Sequence, residues 1–251
     1  MKEGIGNMND NFNNMFYGSV MLAFLFAYSL AKSDDNEIFV NQVGATANID
    51  LEQLGSGNII GGLNSAHGSM TEFDLDGATM TLDVNQIGNN NKMLGDINAD
   101  SLTGIFDFDG DTNSYTIQVD PGNSNSADNA NINVDVDGST NTMTLDLATN
   151  SLASGADIDT IVQGSSNTVH IDLDVDSGTS YIDLDGDSNT VDHNADGYAG
   201  VYFKLEHDGS TRSFDIDQQS TQDNDWLRVV SSGSGGSVCI NQSDQGTSTS
   251  C

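Results

Sequence analysis

Residues 164–175 read Gly-Ser-Ser-Asn-Thr-Val-His-Ile-Asp-Leu-Asp-Val, and residues 138–147 read Gly-Ser-Thr-Asn-Thr-Met-Thr-Leu-Asp-Leu. In both stretches a Gly-x-x-Asn group precedes a run in which every second residue is apolar and most of the others are Thr or Asp. Alternation of this kind puts one face of an extended chain in a core and the other in water, and β-branched residues favour that conformation. Glycine tolerates positive φ and asparagine hydrogen-bonds nearby backbone, so the leading group is a turn between two short strands.

Outward from these stretches the same unit recurs. Glycines at 44, 55, 77, 88 and 110 are spaced 11, 22, 11 and 22, and those at 138, 164, 186 and 209 keep nearly the same interval with a few added residues. Asn58, Asn91, Asn113, Asn141, Asn167 and Asn189 each follow a glycine by three positions. A strand-turn-strand unit of about 22 residues cannot bury its apolar face alone, but stacked copies enclose a continuous core. The pattern predicts an all-β fold, a β-solenoid of such rungs over residues 35–230. Roughly nine rungs stacked at about 4.8 Å are expected, with Asn and Gln ladders running along the axis.

Low hydrophobicity with high net charge also describes disordered chains, and this one carries a formal charge of −32, from 38 Asp and Glu against six Lys and Arg. The strict alternation argues for strands. The charge argues against nucleic acid or an anionic membrane as partner, because the phosphate term would be repulsive.

Before the array, residues 15–31 form the one long uncharged apolar run, predicting an N-terminal hydrophobic helix within a segment 1–34. At 17 residues it sits at the lower limit of a membrane span. Three readings stay open: a cleaved export signal, an uncleaved membrane anchor, and a helix packed inside an assembly. After the array, residues 231–251 read as a Gly/Ser-rich tail with two readings for Cys239 and Cys251: a disulfide that closes a small terminal loop in an oxidising compartment, or two free thiols. Localisation is expected to be extracellular or at the cell surface.

Gln53-Leu-Gly-Ser-Gly-Asn58 and Gln86-Ile-Gly-Asn-Asn-Asn91 share the form Gln-x-Gly-x-x-Asn, with fragments at Asn41-Gln-Val-Gly44, Asp217-Gln-Gln-Ser220 and Asn241-Gln-Ser243. This resembles the curlin repeat of bacterial curli, over residues 38–98 above all. The resemblance implies an exported subunit of an amyloid-like fibre. Gln42, Gln53, Asn58, Gln86 and Asn91 are then the ladder residues at a polymerising edge, and the partner is the chain itself.

Between Lys92 and Lys204 lie twenty Asp and no Glu, Lys or Arg. Asp107, Asp109 and Asp111, and again Asp183, Asp185 and Asp187, are the best oxygen clusters for Ca²⁺, the one candidate cofactor. Their glycine falls at the fourth position where a Ca²⁺ loop needs it at the sixth, and the competing reading is a solvated acidic face. The four His residues show no metal spacing. No nucleophile elbow, Walker loop or dinucleotide fingerprint occurs, so an enzyme is not expected. Aromatics at 198, 202, 203, 214 and 226 lie near Lys204, Arg212 and Arg228, as a capping rung or an adhesive tip. The expected function is a structural element of a fibre. The alternative is a non-polymerising adhesin or virion fibre that binds a surface ligand through its C-terminal region.

Overall fold

The computed structural model describes residues 37–55, 57–61, 73–120, 127–148, 153–197, 200–220 and 225–243. The expected N-terminal helix and Cys251 lie outside them. Among the described residues no helix is long and apolar enough to cross a membrane.

The described chain is all-β and winds into a β-solenoid of about seven turns. One face is built from β1 (Glu37–Ile38), β2 (Val40–Val43), β4 (Ile59–Ile60), the first halves of β5 (Phe73–Ile87) and β6 (Lys92–Asp109), β7 (Thr112–Val119), β9 (Thr140–Leu147), the first half of β11 (Thr168–Asp185), β12 (Asn189–Gly197), β14 (Arg212–Ser220) and β16 (Gly236–Ser243). The other is built from β3 (Thr46–Leu54), the second halves of β5, β6 and β11, β8 (Asn131–Asp137), β10 (Ala153–Gln163), β13 (Val201–Asp208) and β15 (Trp226–Ser232). Every strand pairs in parallel with the strand one turn on, as in Val169 opposite Met143 and Val191.

Seven turns replace the nine expected because the rung is longer than 22 residues at several steps. Partners along the glycine corner are separated by 33, 22, 28, 26, 22, 23 and 24 positions. The extra residues leave the Gly-x-x-Asn corner untouched: Gly55, Gly88, Gly110, Gly138, Gly164, Gly186, Gly209 and Gly233 stack there in one column. A Cβ on Gly164 would lie 1.5 Å from the carbonyl oxygen of Gly138, and its φ is +129°. Backbone passes so close at this corner that only glycine fits. β16 falls inside the stretch read from sequence as a tail, and it continues the array by pairing with β14.

Inward side chains of the two faces meet in a thin core, to which one face contributes Leu145, Ile171 and Ile216 and the other Ile132, Ile158 and Phe203. Large side chains fill the space left by glycines: the Phe73 ring lies over Gly95 in the next rung, and the Phe106 ring abuts Gly104 on its own strand. Such interlocking keeps the packing dense without voids.

Candidate functional site

The asparagines of the Gly-x-x-Asn corner are all buried, at no more than 3% exposure. Each of Asn58, Asn91, Asn113, Asn167 and Asn189 donates Nδ2 to the carbonyl of the glycine three residues before, which closes the turn. The same side chains also join rungs. Asn113 Nδ2 donates to Asn141 Oδ1 at 2.8 Å, and Asn141 Nδ2 donates to Asn167 Oδ1 at 3.1 Å. The backbone N–H groups of Asn91, Asn141 and Asn167 donate to the Oδ1 of the next asparagine. Arg212 takes the position after Asn189, and Gly236 the one after that. Stacked amides of this kind satisfy one another only when the rungs are in register.

Glutamines pair in one further column and stand at both ends of another. Gln53 and Gln86 are buried, and Gln86 Nε2 donates to Gln53 Oε1 at 2.7 Å. Along the other face one column begins at half-buried Gln42, runs through Leu75, Ile97, Val119, Leu147, Leu173 and Ala195, and ends at Gln218 and Gln242. Gln218 is fully buried and donates to the Val201 carbonyl. Of the residues expected at a ladder, Gln53, Asn58, Gln86 and Asn91 therefore sit together at the N-terminal corner, and Gln42 lies on the opposite face.

The terminal rungs are open on one side among the described residues. β2 and β3 pair only with β5, and β15 and β16 only with β13 and β14. Inward residues that would be buried in a middle rung are only partly buried there: Val40, Ile49 and Leu51 at one end, Leu227 and Val229 at the other. Val43, Leu54, Val230, Val238 and Ile240 are exposed on these same strands.

The aromatic cluster divides between core and surface, so neither expected reading holds for all of it. Phe203 and Phe214 are buried in the core. Tyr202 and Trp226 stack on the outer surface with centroids 3.9 Å apart and an interplanar angle of 2°. Lys204 lies 4.4 Å over the Tyr181 ring and 3.0 Å from Glu206, whose carboxyl is held below the usual range by hydrogen bonds from Lys204 and then Tyr181.

The aspartates line the outer surfaces in columns. Asp146, Asp172, Asn194, Asp217 and Asn241 form one of these. Asn194 stands between Asp172 and Asp217 and donates to Asp172, while Gln118 donates to Asp146 and Asn241 to Asp217; Asp146 and Asp172 are direct neighbours, and burial raises the Asp146 carboxyl. Where no amide intervenes, charge accumulates: partial burial, then Asp172 and Asp196, pushes Asp174 up to about 6. Asp96, Asp135, Asp159 and Asp196 are raised in the same way, by burial first and neighbouring carboxylates second.

Of the expected Ca²⁺ clusters, Asp107 and Asp109 lie on β6 and Asp183 and Asp185 on β11, while Asp111 and Asp187 follow the corner glycines Gly110 and Gly186 in the turns. Asp107 and Asp109 belong to columns with Asp135 and Asp137, and Asp183 and Asp185 to columns with Glu206 and Asp208. The Asp111 carbonyl accepts from the Thr140 N–H, and Asp187 accepts from the Ser210 backbone and hydroxyl. Among the described residues no group of three or more His, Cys, Asp or Glu is placed to hold a metal ion.

His193 and His207 are core residues, and His67 lies outside the described ones. His193 is fully buried, stacks on Phe203 at 3.9 Å and meets Ser180 Oγ at 3.1 Å, and burial pushes it down to about 3. Its column neighbours are Ile171 and Ile216, so no motif in the sequence marks it as interior. Cys239 is in a disulfide.

The chain matches no protein-family model, no curated protein and no solved structure.

Proposed function

We propose that the chain is an extracellular or surface structural protein that forms or extends a fibre by edge-to-edge stacking of solenoid rungs. The observation that carries this reading is the state of the two terminal rungs, which among the described residues present half-covered apolar residues and strands paired on one side only. Exposed strand edges pair with other chains unless something blunts them. The Gln-x-Gly-x-x-Asn likeness to curlin repeats supports the same reading, because buried amide columns lengthen as rungs are added.

The test is negative-stain electron microscopy and sedimentation of the full chain, beside Leu227→Asp at an open edge and Asn133→Asp on the outer surface of a middle rung. Filaments with a repeat of about 4.8 Å along the axis, lost only in Leu227→Asp, are expected. Monomers in every condition would sink the fibre reading. A second reading, a non-polymerising adhesin, draws on the exposed Tyr202–Trp226 stack beside Lys204 and Arg228. Aromatic and cationic groups of this sort are favoured where a partner is held, and binding of a surface ligand by a chain that stays monomeric, lost in Trp226→Ala, would support it.

A further inference from the structure

The two ends of the array differ in charge. β1, β2 and β3 carry Glu37, Asp50 and Glu52 and no cation, whereas β15 and β16 carry Arg228 and no carboxylate. In a chain of net charge −32, an edge free of carboxylates sets one end apart.

The columns also state which residues would meet if a second copy continued the array. Asp50 begins the column that passes through Asp83, Ile105, Asn133, Asp159, Tyr181 and Lys204 and ends at Arg228. Leu51 and Val229 begin and end the inward column beside it, and Gln42 and Gln242 bound the glutamine column of the opposite face. One rung step therefore sets Arg228 on Asp50, Val229 on Leu51 and Gln242 on Gln42 of the second copy, in both faces at once. The reversed joints fail this match. Two N-terminal edges would bring a strand carrying Asp50 and Glu52 against its own copy, and two C-terminal edges would bring the Arg228 strand against its own copy; each such joint gathers charge of one sign, which disfavours docking.

We infer that association is head-to-tail and register-specific, with β15 and β16 of one copy receiving β3 and β2 of the next so that Arg228 pairs with Asp50 and Gln242 meets Gln42 across the joint. This rests on the self-association proposed above and adds its polarity and register. The joint is heterologous and does not close on itself, so it generates filaments and not dimers. It also covers the one tryptophan of the chain, since the Trp226 face turned away from Tyr202 points toward the incoming copy.

The test uses three full-length proteins: wild type, Arg228→Asp and Asp50→Arg. Far-UV circular dichroism establishes that each variant is folded. Elongation is followed by light scattering and by the blue shift of Trp226 fluorescence. Each variant alone opposes like charges at the joint and is expected to elongate at least about tenfold more slowly than wild type. Mixed in equal amounts they restore opposite charges at both kinds of joint, so elongation near the wild-type rate with alternating subunits is expected. Wild-type filaments with variants that elongate normally alone, or a mixture no faster than its parts, would overturn this register and leave self-association standing. Wild type that never assembles would overturn both.

Discussion

Replacing Asn141 by alanine tests whether the buried amide ladder holds the rungs together. The change removes two side-chain hydrogen bonds, the one accepted from Asn113 at 2.8 Å and the one donated to Asn167 at 3.1 Å. Asn113 keeps its bond to the Gly110 carbonyl, and Asn167 Oδ1 keeps the Asn141 backbone N–H. Two buried bonds at about 1 kcal/mol each, with a further ~1 kcal/mol for a donor left unpaired, give a loss of about 3 kcal/mol. For an array of this size that lowers Tm by about 6 to 12 °C. Because rungs interact only with their neighbours, the break in the middle also splits the cooperative unit and lowers the denaturant m-value. Urea unfolding followed by circular dichroism, on a sample kept monomeric by dilution, measures both quantities. Asn141→Leu should lose as much as Asn141→Ala, since it restores volume without the bonds, while Asn133→Ala on the outer surface should change stability by under about 0.5 kcal/mol. If Asn141→Leu matched wild type, packing and not hydrogen bonding would hold this column.

Gly164→Ala places a methyl group against the Gly138 carbonyl in a positive-φ turn, and a loss of at least about 2 kcal/mol in the same urea assay is expected. His193 stays neutral in the fold, with its pKa pushed down to about 3 from 6.5. The stability linked to it is complete above pH 6.5 and falls below that by about 1.4 kcal/mol per pH unit, so His193→Ile should remove an acid-side loss of about 2 kcal/mol at pH 5. Asp174 has the opposite sign: its folded value of about 6 exceeds 3.8, so its charge burdens the fold above pH 6 and not below pH 3.8. Asp174→Asn should therefore raise stability at pH 7.5 by about 1 kcal/mol, after allowing for solvent screening, and leave it unchanged at pH 3.5. Millimolar Ca²⁺ and NaCl at equal ionic strength should raise Tm equally, by screening the −32 charge; a rise specific to Ca²⁺ and lost in Asp109→Asn or Asp185→Asn would show that the Asp107–Asp111 or Asp183–Asp187 stretch binds the ion.

The fold was legible in the sequence wherever one physical constraint acts on every rung. Alternation in 132–136 and 169–175 reports the core because side chains on a strand alternate sides, and the Gly-x-x-Asn spacing reports the one corner where backbones nearly touch. Rung count was not legible, because residues added between Val119 and Asn131, or between Leu147 and Ala153, break the interval without disturbing the core. Polar residues inside were hidden for a related reason. His193 and Ser180 complement each other across the core, and such a pair follows no period. The ladder glutamines showed through their repeated motif, whereas the spacing of the two Asp runs does not reveal that each crosses a glycine corner, with two carboxylates on a strand and the third in the turn. The match of Arg228 to Asp50 required the full register, since seven rungs separate them.

The constancy of the glycine corner leaves its opposite free to vary. From Gly55 to Gly233 the step from glycine to the next strand never changes, whereas the chain leaves the first face at Asp120 and Ala148, both in left-handed turns, through connections of unequal length. One edge of the rod is a ruler, and the other accepts text. Peptides inserted between Asp120 and Ala127, Ala148 and Ala153, or Ser220 and Asp225 would project from a single side at heights fixed in multiples of about 4.8 Å, which makes the array a scaffold for displaying sequences at chosen intervals.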